Sequence, residues 1–383
     1  MIVLTVNTGS TSVKLAAYQT DPPCAEAGPP PRRLAARHLT GVGLDPVAAL
    51  RALLGELPGR PAAVAHRVVH GGTRFTGPAL IDDAAREAIA GLSALAPLHN
   101  PVALRWIDAA RELLGAGVLH VAAFDTAFFS ALPPVAAEYA LPPELGTQLG
   151  IRRYGFHGLA HEAMWLRWRE LEPKLPAGGK LITVQLGGGC SMAALERGRP
   201  MDTSMGFSPL EGLVMATRSG DVDAAIVPYL ERQLGVSGER VVEILNERSG
   251  LAGVAGDPGD PQALLDGGTE RARLAVELYC YRARKYLGAY LAVLGGCDGI
   301  AFGGGVGEHV AEVRARILTD LEWAGIELDR PANQAARGSE SRISAAGSRA
   351  RVWVIPVDEE LLMVRAALTV AKLARQSMPS TVP

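Results

Sequence analysis

The chain has 383 residues, 48% of them apolar and 20% charged, and its 38 basic and 40 acidic side chains leave a net charge of -2. That length accommodates two domains with separate cores, and so balanced a charge excludes a global field that would draw nucleic acid or an anionic membrane. Four cysteines without CxxC spacing point to a reducing compartment, and no apolar run reaches the roughly 18 residues of a membrane span. The chain starts on a strand-like run with no basic segment ahead of an apolar one, so no signal peptide is expected.

IVLTVN (2–7) and VKLAAY (13–18) read as two short strands joined by a small-residue loop. A polar turn accounts for that loop, because Asn, Gly and Ser dominate turns for local reasons. A phosphate cradle also accounts for it, with backbone N–H groups and hydroxyls facing the anion and Lys14 supplying charge. DPPCAEAGPPPRR (21–33) is a Pro-rich loop, and AVAHRVV (63–69) is a strand ending in the turn signal HGG. DDAAREAIAGLSAL (82–95), with acidic residues where the helix dipole favours them, and VALRWIDAARELLGAG (102–117) are amphipathic helices. VLHVAAF (118–124) is a buried strand.

Near residue 150 the pattern restarts, because LITVQLGGGCSMAALERGRPM (181–201) again gives strand, Gly/Ser loop and strand, with a turn at Arg197-Gly198. Its apolar pattern matches that of the N-terminal hairpin, so duplicated α/β halves facing each other across a cleft are expected. GERVVEILNERSG (238–250) and ERARLAVELYCYRARKYLGAYLAVLG (270–295) are helical. CDGIAFGGGVGEH (297–309) is a strand running into a Gly-rich loop, followed by the helix VAEVRARILTDLEWAG. VWVIPV (352–357) is a last buried strand, and DEELLMVRAALTVAKLARQ is a closing helix.

Three Gly-rich loops thus follow strands (TGSTS, LGGGCS and FGGGVGEH), and glycine lets backbone amides approach phosphates closely. No GxxxxGK[ST] occurs, so there is no P-loop, and a GxGxxG reading from Gly303 fails at Glu308. Arg67, Asp125 and Glu359 stand at strand ends, where ligands gather in open α/β sheets. Each candidate also has a plain structural explanation. Asp358, Glu359 and Glu360 suit a helix N-terminus, Asp125-Thr126 suits a cap, and Arg218 with Asp221 suits a surface ion pair. His66/His70 and His157/His161 share i,i+4 spacing, but without HExxH no zinc site is expected. His99 in PLHNP and His157 in YGFHG are either structural histidines or transition-state hydrogen-bond donors, and no GxSxG elbow supports a serine hydrolase.

Taken in order, NTGSTSVK (7–14), HRVVHGG (66–72), APLHNP (96–101), FDTAF (124–128), RRYGFHG (152–158), DTSMGFSPLEGLVMATRSGD (202–221) and IPVDEEL (355–361) resemble the acetate and propionate kinase family over essentially the whole chain. The resemblance implies two duplicated actin-like ATPase (ribonuclease H-like) α/β domains around a central cleft. One would span 1–149, completed by the C-terminal helix 360–383, and the other, nucleotide-binding, would span 150–359. It further implies a cytoplasmic homodimer that transfers phosphate reversibly from ATP to acetate and propionate, giving acetyl phosphate and ADP, with Mg2+ or, in its place, Mn2+.

By motif position, Asn7 and Glu359 would organise the metal, while Lys14, Ser10 and Ser12 would contact the nucleotide phosphates. Arg67 would hold the substrate carboxylate, Asp125 would act near metal and phosphate, and His157, Arg218 and the supporting His99 would stabilise the transition state. Val69, Leu98, Phe156 and Pro209 would form the small pocket for the acyl chain. The nucleotide site would comprise Gln185, Leu186, Gly187, Gly188 and Gly189, then Asp260, Pro261 and Gln262, then Gly305, Val306, Gly307, Glu308 and His309. A carboxylate is already ionised at neutral pH and needs no strong base, so the obstacle is bringing one anion up to another. Two arginines, a histidine, a lysine and a divalent metal address that repulsion, and Asp125 is then a positioning or metal-linked group.

The departures cluster. The family's HLGNG reads QLGGG here, its Asp-hydrophobic-Arg reads Asp260-Pro261-Gln262, and its GIGEN reads GVGEH. All fall in the nucleotide half, so the alternatives are a different donor (pyrophosphate or another nucleotide), a longer acyl substrate, or a nucleotide-binding protein of low turnover.

Overall fold

The computed structural model describes residues 1–9, 12–20, 30–41, 43–256 and 259–376. They form two compact units, Met1–Ser130 with the chain from Asp358 onward, and Ala131–Val357. The boundaries expected at 149/150 and 359/360 therefore fall at 130/131 and 357/358. The segment before residue 150 is tied into the second unit: Glu138 bridges to Arg152, and the Arg153 amide donates to the Ala137 carbonyl at 2.7 Å.

The first unit contains β1 (Ile2–Thr8), β2 (Ser12–Gln19), β3 (Arg32–Thr40), α1 (Pro46–Leu54), β4 (Ala63–Val68) and β5 (Ala79–Leu80). It continues with α2 (Asp83–Gly91), α3 (Asn100–Leu114) and β6 (Leu119–Phe124), and α14 (Glu359–Gln376) completes it. Its sheet runs β3-β2-β1-β4-β6-β5, with β1, β4 and β6 parallel. Leu4, Val6 and Leu15 of the hairpin pack with Leu50, Leu53 and Trp106 of α1 and α3. Val68 and Phe124 join Ile89 and Ile107 in an adjoining cluster. The Pro-rich segment expected at 21–33 conceals the start of β3: residues 32 and 33 are already strand, while 21–29 lie outside the described residues.

The second unit opens with α4 (Pro134–Ala137), α5 (Gly158–Leu171), β7 (Lys180–Leu186), β8 (Cys190–Glu196) and β9 (Arg199–Thr203). Helices α6 (Ile226–Leu234), α7 (Gly238–Glu247), α8 (Gly250–Ala255), α9 (Pro261–Gly267) and α10 (Glu270–Leu294) follow. The unit ends with β10 (Gly299–Gly303), α11 (Gly304–His309), α12 (Ala311–Ile317), α13 (Arg330–Ala335), β11 (Ser341–Arg342) and β12 (Arg351–Val354). Its sheet order is β11-β12-β10-β7-β8-β9, the order of the first sheet read in reverse. Each sheet is an antiparallel meander, then two strands parallel to the first, then a short antiparallel edge. That repetition is the duplication expected from the two hairpins, and it fits the actin-like ATPase topology that the resemblance implies.

Gly299 shows how tightly α5 lies on this sheet, since a Cβ there would come within 1.9 Å of the Trp168 indole. The run expected as a Gly-rich loop at 303–309 is instead the short helix α11, entered through Gly304 at φ +77°. Among the described residues, no helix is long and apolar enough to cross a membrane, and Cys190, Cys280 and Cys297 are free thiols.

Candidate active site

In the first unit the parallel register brings Asn7, Arg67 and Asp125 to the carboxyl ends of β1, β4 and β6, where an open α/β sheet exposes its ligand-binding edge. Arg67 donates from Nε and Nη2 to the two Asp125 oxygens at 2.9 and 2.7 Å, a two-point geometry that only a guanidinium supplies. Its Nη1 donates to Asn7 Oδ1 at 3.1 Å and lies 3.5 Å from Glu359. Asn7 in turn donates from Nδ2 to Glu359 at 2.8 Å. Burial opposes the Arg67 charge, yet Asp125, Glu359 and Glu360 outweigh it and raise the guanidinium above its usual range.

Capping of α14 falls to Asp358, which accepts from the Leu361 amide at 3.0 Å, so Glu359 turns toward Asn7 and Arg67. Lys14 stands directly across the hairpin from Asn7. Burial raises the Glu360 carboxyl, Lys14 acts against this, and Asp358 and Glu359 add to it. This donor set of Glu359 with the Asn7 amide is hard and oxygen-rich. It fits Mg2+, which takes one or two carboxylates and fills its octahedron with water and phosphate oxygens. Among the described residues no group of three or more His, Cys, Asp or Glu is placed to hold a metal ion.

Behind Arg67, the HGG turn is held by Asn100, which accepts from the His70 amide at 3.1 Å and donates to the His70 carbonyl at 3.0 Å. His99 sits next to it at the N-cap of α3, half-buried. Val69 is buried, whereas Leu98 is 58% exposed, so Leu98 is not part of a closed wall within this unit. Ser12 closes the first loop by accepting the Gly9 amide at 2.8 Å, and Ser10 lies outside the described residues.

In the second unit, His157 caps α5 in the left-handed region at φ +57°, a conformation that persists in a non-glycine residue only when its surroundings impose it. Its Nδ1 lies 2.9 Å from Ser191 Oγ, and that oxygen is 2.8 Å from Nε2 of His161. His161 Nδ1 lies 2.7 Å from Thr183 Oγ1. Burial, reinforced by His157, holds His161 well below the usual histidine range. A Cβ placed on Gly189 would stand 3.4 Å from His157 Nε2 and 3.7 Å from Arg218 Nη1, so both side chains converge on the second hairpin's loop. Phe156 is buried beside His157.

Arg218 is aimed by its irregular segment. Its Nη1 donates to the Pro209 carbonyl at 3.1 Å, and burial lowers its pKa against an opposing pull from Cys190. The surface pair with Asp221 does not form, because Asp221 accepts from Gly212, Tyr286 and Arg282 instead. Gly250 at φ +61° lets this segment rest on α8, since a Cβ there would stand 2.3 Å from the Met215 carbonyl. Arg153 pairs with Glu211 at 2.6 Å, and Tyr139 hydrogen-bonds the same carboxylate. Asn100, Ser191, Arg153 and Glu211 were not anticipated from sequence, although each lies inside or next to a motif that was.

The expected nucleotide residues form three separate groups in this unit. Gln185 to Gly189 make the β7–β8 turn, with Gly188 exposed and open space where its Cβ would go. Gln185 Oε1 is a buried acceptor with no partner among the described residues. Gly304 donates to Glu308 at 2.9 Å, closing α11 over Gly305, Val306 and Gly307, while the His309 ring lies against Gly338. Asp260 caps α9 through the Ala263 amide, Pro261 fills the first turn, and Gln262 donates to Asp266 of the same helix. A cavity of about 570 Å³ beside Lys180, Arg197 and Asp298 lies at the opposite end of β7 and holds none of these residues.

Comparison with known proteins matches residues 53–365 to the model of the acetokinase family. The acetate kinase of Solibacter usitatus is 48% identical over 307 residues, covering 79% of this chain and 74% of its own. The crystal structure of Porphyromonas gingivalis acetate kinase superposes with a TM-score of 0.86 at 34% identity, over 97% of this chain and 99% of that one. A propionate kinase from Francisella tularensis gives 0.83 at 31% identity, over 96% and 99%.

Proposed function

This chain belongs to the acetokinase family, and from that premise we propose that it transfers the γ-phosphoryl group of ATP reversibly to acetate, and also to propionate, giving acetyl phosphate or propionyl phosphate and ADP. The observation that carries this reading is the Asn7–Arg67–Asp125–Glu359 cluster, a buried cation and carboxylates at the ends of three parallel strands.

The substrate carboxylate is the nucleophile and is ionised without help, so the protein's task is to place two anions together. Arg67 binds the carboxylate, with Asp125 holding the guanidinium square to it. Val69, Leu98, Phe156 and Pro209 receive the short acyl chain. Lys14 and Ser12 of β2 would contact the phosphates, as would Ser10, which lies outside the described residues. Arg218 and His157 donate to the oxygens of the transferring group, where charge develops, and fixed donors there act most strongly. His99 steadies the site from the start of α3. Glu359 and Asn7 would hold Mg2+, with Mn2+ as a substitute, which neutralises phosphate charge when bound. Gln185–Gly189 at the end of β7, Asp260–Gln262 at the start of α9 and Gly305–His309 of α11 would take the nucleotide.

A second reading keeps the acceptor and changes the donor to pyrophosphate or another nucleotide. It is favoured by Asp260 and Gln262, whose side chains are spent on α9 itself. We further propose a homodimer, supported by the apolar stripe Leu274, Leu278 and Tyr281 exposed along α10, and a cytoplasmic location, where free thiols persist. The test is trapping of acyl phosphate as its hydroxamate. Product with acetate and Mg-ATP supports the reading, and none with acetate, propionate or butyrate overturns it.

A further inference from the structure

Residues 152–157 and 204–212 of the second unit form no helix and, apart from the bridge at Arg152, no strand. Side chains and isolated backbone contacts therefore have to hold them. The first segment carries Phe156 and His157, and the second carries Pro209, whose carbonyl accepts from Arg218 Nη1 at 3.1 Å. The two meet at Gly206, whose carbonyl accepts from the Tyr154 and Gly155 amides at 3.0 and 3.4 Å. Glu211 lies at the same junction. Its Oε1 accepts from Arg153 Nη2 at 2.6 Å, and its Oε2 accepts from the Tyr139 hydroxyl. That hydroxyl accepts in turn from the Phe207 amide at 2.9 Å, and Arg153 Nη1 donates to the Thr203 carbonyl at 3.1 Å. Burial and Glu211 raise the Tyr139 phenol above its usual range, so it stays a donor. A Cβ on Gly206 would collide with Glu211 Oε2 and the Tyr139 oxygen, so only glycine leaves the carboxylate its place.

One residue beyond Glu211, the Gly212 amide donates to Asp221 Oδ1 at 2.7 Å and the Gly212 carbonyl accepts from the Asp221 amide at 3.1 Å. This pair closes the loop that carries Arg218, and Glu211 stands at its neck. From this geometry we propose that Glu211 is a positioning residue that sets the spacing between the segment of Phe156 and His157 and the segment of Pro209 and Arg218, and thereby both the aim of Arg218 and the length of acyl chain accepted. The proposal rests on the reading of Phe156 and Pro209 as acyl-pocket residues and of His157 and Arg218 as donors to the transferring group. Glu211 acts through Pro209, two residues before it, rather than on the reacting groups. A carboxylate suits this role because it accepts at two oxygens at once, with charge assistance toward the guanidinium. An amide at 211 would keep one acceptor and turn an NH2 group toward a partner that itself donates. Asp202 also faces Arg153, so loss of the Glu211 carboxylate still leaves the guanidinium near an anion and not as an unpaired cation.

The experiment measures kcat and the KM of ATP, acetate, propionate and butyrate for the full-length wild type, Glu211→Ala, Glu211→Gln, Tyr139→Phe and Arg218→Ala. Near-UV circular dichroism follows the folding of each. Glu211→Ala is expected to lower kcat with acetate by about 10- to 100-fold, the scale of a misplacement of about 1 Å. It is also expected to raise the propionate-to-acetate ratio of kcat/KM several-fold, as the loosened wall admits a longer chain. Glu211→Gln and Tyr139→Phe, which each disturb one contact of the carboxylate, are expected to move the ratio the same way by a smaller factor. The KM of ATP is expected to stay within about twofold. A purely structural role would scale turnover of all three acids alike, so an unchanged ratio in folded Glu211→Ala overturns the proposal. Should Glu211→Ala fail to fold, an unchanged ratio in Glu211→Gln and Tyr139→Phe overturns it instead. No acyl phosphate from the wild type with any of the acids overturns the proposed function and this inference together. Turnover by the wild type with undiminished kcat in Arg218→Ala overturns the part played through Arg218.

Discussion

Arg67 and Asp125 are joined at two points across adjacent parallel strands, with Asp125 only 1% exposed and Arg67 12%. At that degree of desolvation, each charge depends on the other. Removing one partner of a buried pair costs about 3–5 kcal/mol, because the remaining charge is left uncompensated. Arg67→Ala is therefore expected to lower unfolding free energy by roughly that amount as well as to raise the acetate KM. Arg67→Lys keeps the charge and loses the fork, so it is expected to raise the acetate KM by about 10- to 100-fold with a smaller stability loss. Urea titration and acetate saturation curves on the same preparations check both.

Val69 is buried directly after β4, two residues from Arg67. Val69→Ala removes two methyl groups from the expected acyl pocket. The propionate-to-acetate ratio of kcat/KM is expected to rise several-fold, on the scale of one methylene in an apolar pocket, about 1–3 kcal/mol at most. Competition between the two acids checks it, and an unchanged ratio removes Val69 from the pocket.

Gly188 has open space where a side chain would go. Gly188→Asn, which restores the family's amide, is expected to fold normally and lower the ATP KM, as is Gln262→Arg. A recovered hydrogen bond of about 1 kcal/mol corresponds to roughly fivefold. Saturation curves with ATP, GTP and pyrophosphate at fixed acetate measure this. If pyrophosphate is the true donor, both substitutions leave its KM lower than that of ATP.

His66 and His120 stack within the first sheet, with Nε2 and Nδ1 3.2 Å apart. Burial and His120 hold His66 well below its ordinary value, while burial and Arg111 push His120 down to about 4. In the unfolded chain both rings take up a proton below about pH 6.5. The unfolded state then binds more protons, so stability is full above that pH and falls progressively toward pH 4. Denaturant midpoints from pH 7.5 to 4.5 are expected to drop, and to drop less in His120→Gln, which has one ring fewer to charge.

The duplicated architecture was legible because the sheet of each unit begins in sequence with a hairpin of apolar strands around a small-residue loop, and because Arg67 and Asp125 directly follow or end apolar runs. Other features were not. β3 alternates weakly and follows a proline-rich stretch, which masked it. The glycines of 303–307 suggest a loop, yet α11 forms because Glu308 satisfies the Gly304 amide and the Val357 amide. Asp260, expected at the nucleotide site, also caps α9 through the Ala263 amide. The contacts of Ser191 and Thr183 with His157 and His161 depend on α5 lying over β7 and β8, a relationship that no local spacing encodes.

Passage of phosphate from ATP to a carboxylate is followed directly by ³¹P NMR of the purified enzyme with acetate and Mg-ATP. The expected spectrum shows acetyl phosphate and ADP rising together in equal amounts, and the process stops in Arg218→Ala. A spectrum in which ATP is untouched, or yields only orthophosphate whether or not acetate is present, overturns phosphoryl transfer to the carboxylate.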